Sequence, residues 1–224
     1  MEAETSPQRI SVFDEYILAS DLPQRQKRVL KACLVLFSTK GYSDTTTSDI
    51  ARLAGVSEGT VYKHFRTKKD LLTALAVPFT DRFLPSNAFE SVLDRAKNME
   101  SVPDFNEFLY QITYDRFLFV SDNREILRVF LRDGIRRTDA FDLARERFVT
   151  SLAAALAKVI HLYQARGELI DWPEAVICRF VFGAWMGYVL PNVILSDQSF
   201  DIEKASHRVA LTLSRGLAPQ TSVQ

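Results

Sequence analysis

The sequence predicts an all-α protein: a small three-helix unit near the N-terminus, then a larger helical bundle. Three observations carry that prediction. Apolar residues recur at helical spacing in nearly every segment, and strand-like alternation is scarce. Thr46 with Asp49, and Thr67 with Asp70, have the spacing of capping boxes, which mark helix starts. The 224 residues are 47% hydrophobic and 25% charged, which favours packed cores over disorder.

Taken in order, residues 1–20 form an extension in which Ile10, Phe13 and Ile17 share helical spacing, enough for a short docking helix. Asp21, with Pro23 near the first turn, opens the next helix. That helix places Val29, Cys33, Leu36 and Phe37 on one side and stops at Gly41. Two short helices follow, Thr47–Ala54 and Ser57–Phe65, separated by Gly55-Val56, and Ser57 can cap the second. A further helix begins near Lys68; Pro78, Pro85 and the polar PSNAFES mark a break after it. Longer helical patterns lie near 104–121, 123–136, 139–166, 173–190 and 200–216. The implied domains are an extension (1–20), a helix-turn-helix domain (21–70), a larger domain (71–218) and a tail (219–224).

Formal net charge is zero, yet residues 21–75 carry ten Lys/Arg against five Asp/Glu, leaving a deficit of the same size in the rest. A basic segment joined to an acidic remainder implies that one part alone meets a polyanion. Cys33 and Cys178 have neither disulfide-framework nor metal-ligand spacing and read as buried small hydrophobes. His64, His161 and His207 have no metal spacing either. No P-loop, GxSxG, GxGxxG or HExxH motif invites an enzyme reading, and neither a cofactor nor a metal is expected. The N-terminus is polar and acidic without an apolar core segment, so a cytoplasmic protein is expected. Residues 180–196 are uncharged, but at 17 residues with Pro191 inside they read as a buried helix rather than a membrane span.

The stretch SDIARLAGVSEGTVYKHFRTKKDLL carries the chemistry. Two short helices crossed by a Gly-containing turn make a helix-turn-helix, with Ile50, Leu53, Val56, Val61 and Phe65 as its expected core. The second helix then exposes Ser57, Gly59, Thr60 and Lys63, flanked by Tyr62 and His64. Gly59 costs a helix about 1 kcal/mol relative to alanine, a cost that suits close approach of backbone to another surface. Thr, Tyr, His and Lys suit phosphate contacts that fix register, while short central side chains leave room to reach base edges.

The run from Arg28 to Leu72 resembles the DNA-binding domain of the TetR family of bacterial transcription regulators. The likeness rests on LF…GY in the first helix and on TT…IA…AGVS.GT.Y.HF..K..L across the next three, without a gap. It implies phosphate contacts from Thr47, Tyr62, His64 and Lys68, and base-edge or groove contacts from Ser57, Gly59, Thr60 and Lys63. Glu58 falls where family members vary; its charge would repel phosphate or accept from a cytosine amine. The extension before residue 21 departs from the family pattern, and Val35 offers it an apolar seat.

The resemblance further implies a homodimer joined by the last two helices, a double-stranded operator with two-fold symmetry, and a small-molecule effector bound in the larger domain. Ile177, Val181, Trp185 and Val189 could form the dimer seam, with Gly183 and Gly187 permitting close approach. Sixteen phenylalanines suit an apolar cavity or a plain core; Tyr114, Phe117, Phe130, Phe148 and Trp185 are the cavity candidates. Arg124, Arg128, Arg132 and Arg136 make a stripe that suits a solvated, paired face better than an anion site. The reading is a ligand-responsive regulator, a repressor released by an apolar or amphipathic effector. The rival reading is a ligand-binding or protein-interaction module that does not use its helix-turn-helix on DNA.

Overall fold

The computed structural model describes residues 10–80, 86–98, 101–133, 156–196 and 199–219. Their regular elements are all helical. α1 (Val12–Ala19) starts at Ser11, whose side chain accepts a hydrogen bond from the Asp14 N–H. Its Phe13 and Ile17 are buried, so the extension does form a docking helix, although Ile10 stays outside it and exposed. α2 (Gln24–Thr39) begins one residue later than a Pro23 first turn would place it, because Pro23 itself is the N-cap. Val29, Leu30, Cys33 and Phe37 are its most buried residues. Val35 is not the extension's seat: it lies exposed, while neighbouring Leu34 is buried and lines a cleft with Phe13 and Ile126.

α3 (Thr47–Ala54) has the full capping box, Thr46 accepting from the Asp49 N–H and Asp49 from the Thr46 N–H. Gly55 ends it at φ 64°, a left-handed conformation in which its N–H reaches the carbonyls of Ala51 and Arg52. A side chain there would be strained by about 1–2 kcal/mol, which is why the turn needs glycine. α4 (Glu58–His64) is capped by Ser57, whose side chain accepts from the Thr60 N–H. α5 (Lys68–Thr80) begins with the second reciprocal box, between Thr67 and Asp70. Pro78 lies inside its last turn, so the helix runs two residues past the proline expected to break it.

Ile50, Ala51, Ala54 and Val61 are buried where α3 and α4 meet. Leu53, expected in that core, is 53% exposed because it lies on the outer side of a two-turn helix whose inner side is filled by Ile50 and Ala54. Burial of the thiol among α2's apolar neighbours pushes Cys33 up to about 12, which makes it an inert core residue.

The chain divides into two compact units. The first contains α1–α5 together with α8 (Arg124–Asp133), which packs against α2 and α5. Asn123, just before α8 and only 3% exposed, accepts a 2.9 Å hydrogen bond from the Val12 N–H, fastening α1 to this segment. The second unit contains α6 (Ser86–Lys97), α7 (Phe105–Asp122), α9 (helical residues 156–165), α10 (Glu174–Val189) and α11 (Ile202–Gly216). Tyr163 is fully buried against Phe105 and Phe108, with centroids 5.1 and 5.4 Å away, and its hydroxyl donates to the Pro103 carbonyl. Pro191 does not stop the chain's helical path. The backbone widens into a π turn (Leu190–Ile194), where the Leu195 N–H reaches the Leu190 carbonyl at 2.9 Å. Glu174–Val193 is long and apolar enough to cross a membrane by length and composition alone, and only 17% of its most apolar stretch is buried, so the helix expected to be buried is mostly uncovered within the chain.

Candidate nucleic-acid interface

The capping residues that start α3, α4 and α5 also set the geometry of one polar surface. Thr47 at the start of α3 and Tyr62 on α4 share a hydroxyl–hydroxyl hydrogen bond of 2.9 Å, so two predicted phosphate-contacting groups are held side by side. Ser57 and Thr60 pair in the same way, also at 2.9 Å. His64 Nδ1 lies 2.5 Å from the Gln26 amide of α2. With Nδ1 accepting from that amide, the ring hydrogen sits on Nε2 as a further donor. These bonds fix the side chains before any partner arrives, lowering the ordering cost of recognition.

Gly59 is exposed, and a Cβ built there would meet only Ser57 Oγ, at 3.9 Å. Nothing inside the protein therefore requires glycine at this helical position. Lys63 on the next turn is exposed, and its ammonium makes no hydrogen bond or ion pair among the described residues.

Lys68 is tied into the fold by its own hydrogen bonds. Its ammonium donates to the carbonyls of Tyr42, Ser43 and Thr45 at 2.6, 3.2 and 3.0 Å and lies 4.3 Å from the Tyr42 ring centroid. Those bonds knit α5 to the loop before α3. Asp49 is similarly structural. The Lys40 ammonium, 2.6 Å away, and the Thr46 N–H hold its carboxyl well below the usual carboxylate range. Arg52 adds a 2.9 Å contact to the other oxygen.

The contacts made by Gln26, Tyr42 and Asn123 were not legible in the sequence. Each acts on a partner at least 26 positions away, beyond the reach of any local pattern.

The other predicted sites are only partly brought together. In the second unit Phe117 is buried and packs edge-on to Phe200 at 5.3 Å and tilted to Tyr188 at 5.5 Å. Trp185 donates its indole N–H to Thr113 Oγ1 at 3.0 Å, satisfying a fully buried hydroxyl. Tyr114 is half-exposed and stacks near Tyr110, which lies on the His207 ring at 4.1 Å. Phe130 belongs to the first unit, on α8, and is buried. Phe148 and Arg136 lie outside the described residues. Arg124 and Arg128, of the basic stripe, also belong to the first unit and both have partners.

On α10, Ile177 is 2% exposed and Val189 is buried, so their side chains are already covered within the chain. Val181 is half-buried. The outward face is instead Phe182, Gly183 and Gly187, continued by Leu190, and a Cβ at either glycine would meet nothing within 4 Å.

A capped helix pair bearing a pre-ordered Thr, Tyr, His and Lys surface defines a helix-turn-helix nucleic-acid-binding protein. Residues 29–75 match the family described as bacterial regulatory proteins, tetR family. The chain is 47% identical over 172 residues to an uncharacterised HTH-type transcriptional regulator, YvkB, of Bacillus subtilis (strain 168), covering 77% of this chain and 85% of that protein. It is 38% identical over 204 residues to the HTH-type transcriptional regulator AcrR of Shigella flexneri, covering 85% and 88%. Its fold is shared with the transcriptional regulator FadR from Bacillus subtilis, solved in complex with stearoyl-CoA. There the TM-score is 0.60 at 20% identity, over 86% of this chain and 99% of that one. The chain belongs to the tetR family and is a DNA-binding transcription regulator.

Proposed function

We propose that this regulator is a cytoplasmic homodimeric repressor that grips a two-fold symmetric operator with two copies of α4 and is released by a small apolar or amphipathic effector. The observation that carries the DNA side is the pre-ordered polar face of α4, with Gly59 open at its centre. Thr47, Tyr62 and His64 hold phosphate; Ser57, Gly59, Thr60 and Lys63 enter the major groove. Lys68 contributes indirectly, by fixing the loop that leads to Thr47. DNA recognition is thus assigned to residues 21–70, and effector binding with dimerisation to residues 71–218.

The dimer follows from α10. An exposed apolar face centred on Gly183 and Gly187 lets a second copy approach closely. Two recognition helices about 34–36 Å apart then read successive major-groove faces. The effector reading rests on the ring cluster of Phe117, Tyr188 and Phe200 with Trp185 nearby, an aromatic surface of the kind that binds a bulky apolar molecule. FadR's own complex with stearoyl-CoA is an instance of such a ligand in this fold. Release requires that the effector prefer the conformer that fits DNA poorly.

Selection of random duplex DNA on the purified protein at physiological salt tests the reading. A symmetric site is expected, and it should be lost with Tyr62→Ala/Lys63→Ala. Failure to enrich any sequence, with denaturing mass spectrometry finding no captured small molecule, would favour the module that leaves its helix-turn-helix unused.

A further inference from the structure

We infer that Glu58 reads a cytosine in the major groove and thereby sets one position of each operator half-site; the inference rests on the DNA-binding reading above. Glu58, Gly59, Tyr62 and Lys63 are exposed residues of α4. Glu58 and Tyr62 stand one turn apart, as do Gly59 and Lys63, so the four make one continuous outward face. Intramolecular bonds already engage the hydroxyls of Ser57, Thr60 and Tyr62 and the His64 ring. Among the described residues, no hydrogen bond or ion pair engages the Glu58 carboxylate or the Lys63 ammonium. These two long side chains are therefore free to meet a partner, with Gly59 between them offering no side chain to hold the backbone away.

A carboxylate carried into the groove is a demanding reader. Phosphates repel it, and so do the acceptors that guanine, thymine and adenine present along the major-groove edge. Cytosine presents its N4 amine there with no acceptor on the same base, so it is the base whose own edge welcomes a carboxylate. Lys63 on the far side of Gly59 supplies the complementary chemistry, a donor with affinity for guanine O6 and N7. A carboxylate in the first turn of a helix is also favoured by the helix dipole whatever it touches. Base preference, rather than stability, is therefore the readout that separates the two roles.

Random-duplex selection would be run on the wild type, Glu58→Gln and Glu58→Ala, with thermal melting of each to confirm folding. The wild type should enrich a symmetric site containing one fixed C·G pair per half-site. Glu58→Ala should keep the rest of the site and lose that preference, a relaxation of roughly five- to hundredfold per half-site. Glu58→Gln should move the same position toward adenine. An unchanged site in both variants overturns the inference while leaving the DNA-binding reading intact. So does a uniform gain in affinity for all sequences, which would place the carboxylate against phosphate. No enriched site in the wild type, with no captured small molecule found by denaturing mass spectrometry, would instead remove the DNA-binding reading itself, and the role of Glu58 with it.

Discussion

α4 and α10 carry the same unusual feature in opposite surroundings. Each holds helical glycine facing outward, where an added Cβ would meet nothing closer than 3.9 Å. Around Gly59 stand Glu58, Tyr62 and Lys63; around Gly183 and Gly187 stand Phe182 and Leu190. Glycine in a helix interior sacrifices stability, and under the proposed function the open spot in both places meets a surface outside the subunit. The neighbours tell which surface: charged and hydroxyl-bearing for a polyanion, apolar for another apolar helix.

Replacing α4's contacting side chains should give the largest effect. Tyr62→Ala/Lys63→Ala should lower operator affinity by about 100-fold or more, since each dimer loses the contacts twice; fluorescence anisotropy against the selected duplex reads it. Its melting temperature should stay close to that of the parent, because both residues are exposed.

Filling α10's open face should break the dimer without unfolding the chain. Gly183→Leu/Gly187→Leu should sediment as a monomer with its helical circular dichroism intact, and operator affinity should fall with dimerisation. A variant that remains dimeric would place the interface elsewhere. A variant recovered in a lipid or detergent phase would revive the membrane reading that the apolar run at 174–193 admits.

Gly59→Ala sharpens the comparison, because stability and function should move in opposite directions. Stability should rise by up to about 1 kcal/mol, since alanine is the better helix former and meets only Ser57 Oγ. DNA affinity should fall about tenfold as the added methyl stands between backbone and groove. Denaturant titration and anisotropy on one preparation check both.

The smallest effect concerns Asp49, which belongs to the frame behind α4. Its folded carboxyl lies below the ordinary value of about 3.9, so its stabilisation is present above that pH and fades as pH falls further. Asp49→Asn should lower the melting temperature at neutral pH and flatten its decline below about pH 4. Parallel melts between pH 2 and pH 7 measure this; an unchanged acid limb would assign the decline to other groups.

Much of the frame was legible in sequence, because its signals are local. Thr46/Asp49, Ser57 and Thr67/Asp70 announce three helix starts within four-residue windows, and the structure places each cap there. Gly55 marks the turn for an equally local reason, its positive φ. Periodicity erred where it had to choose a face on a short or apolar helix. Leu53 and Ile177 both fit the expected stripes, yet one is exposed and the other buried. α10 is apolar nearly all round, so its pattern does not distinguish the inner side from the outer. The internal bonds of Lys68 were hidden for another cause: a lysine suited to phosphate is equally suited to three backbone carbonyls, and only the fold brings those carbonyls to it.

Under the proposed function two unfinished helix faces are completed by two different partners, DNA on α4 and a second copy on α10. Native mass spectrometry of the protein on its selected duplex tests both at once. Two chains per duplex, or a multiple of two, is the expected result, with Gly183→Leu/Gly187→Leu failing to load at the same concentration. A single chain bound at full affinity would contradict it.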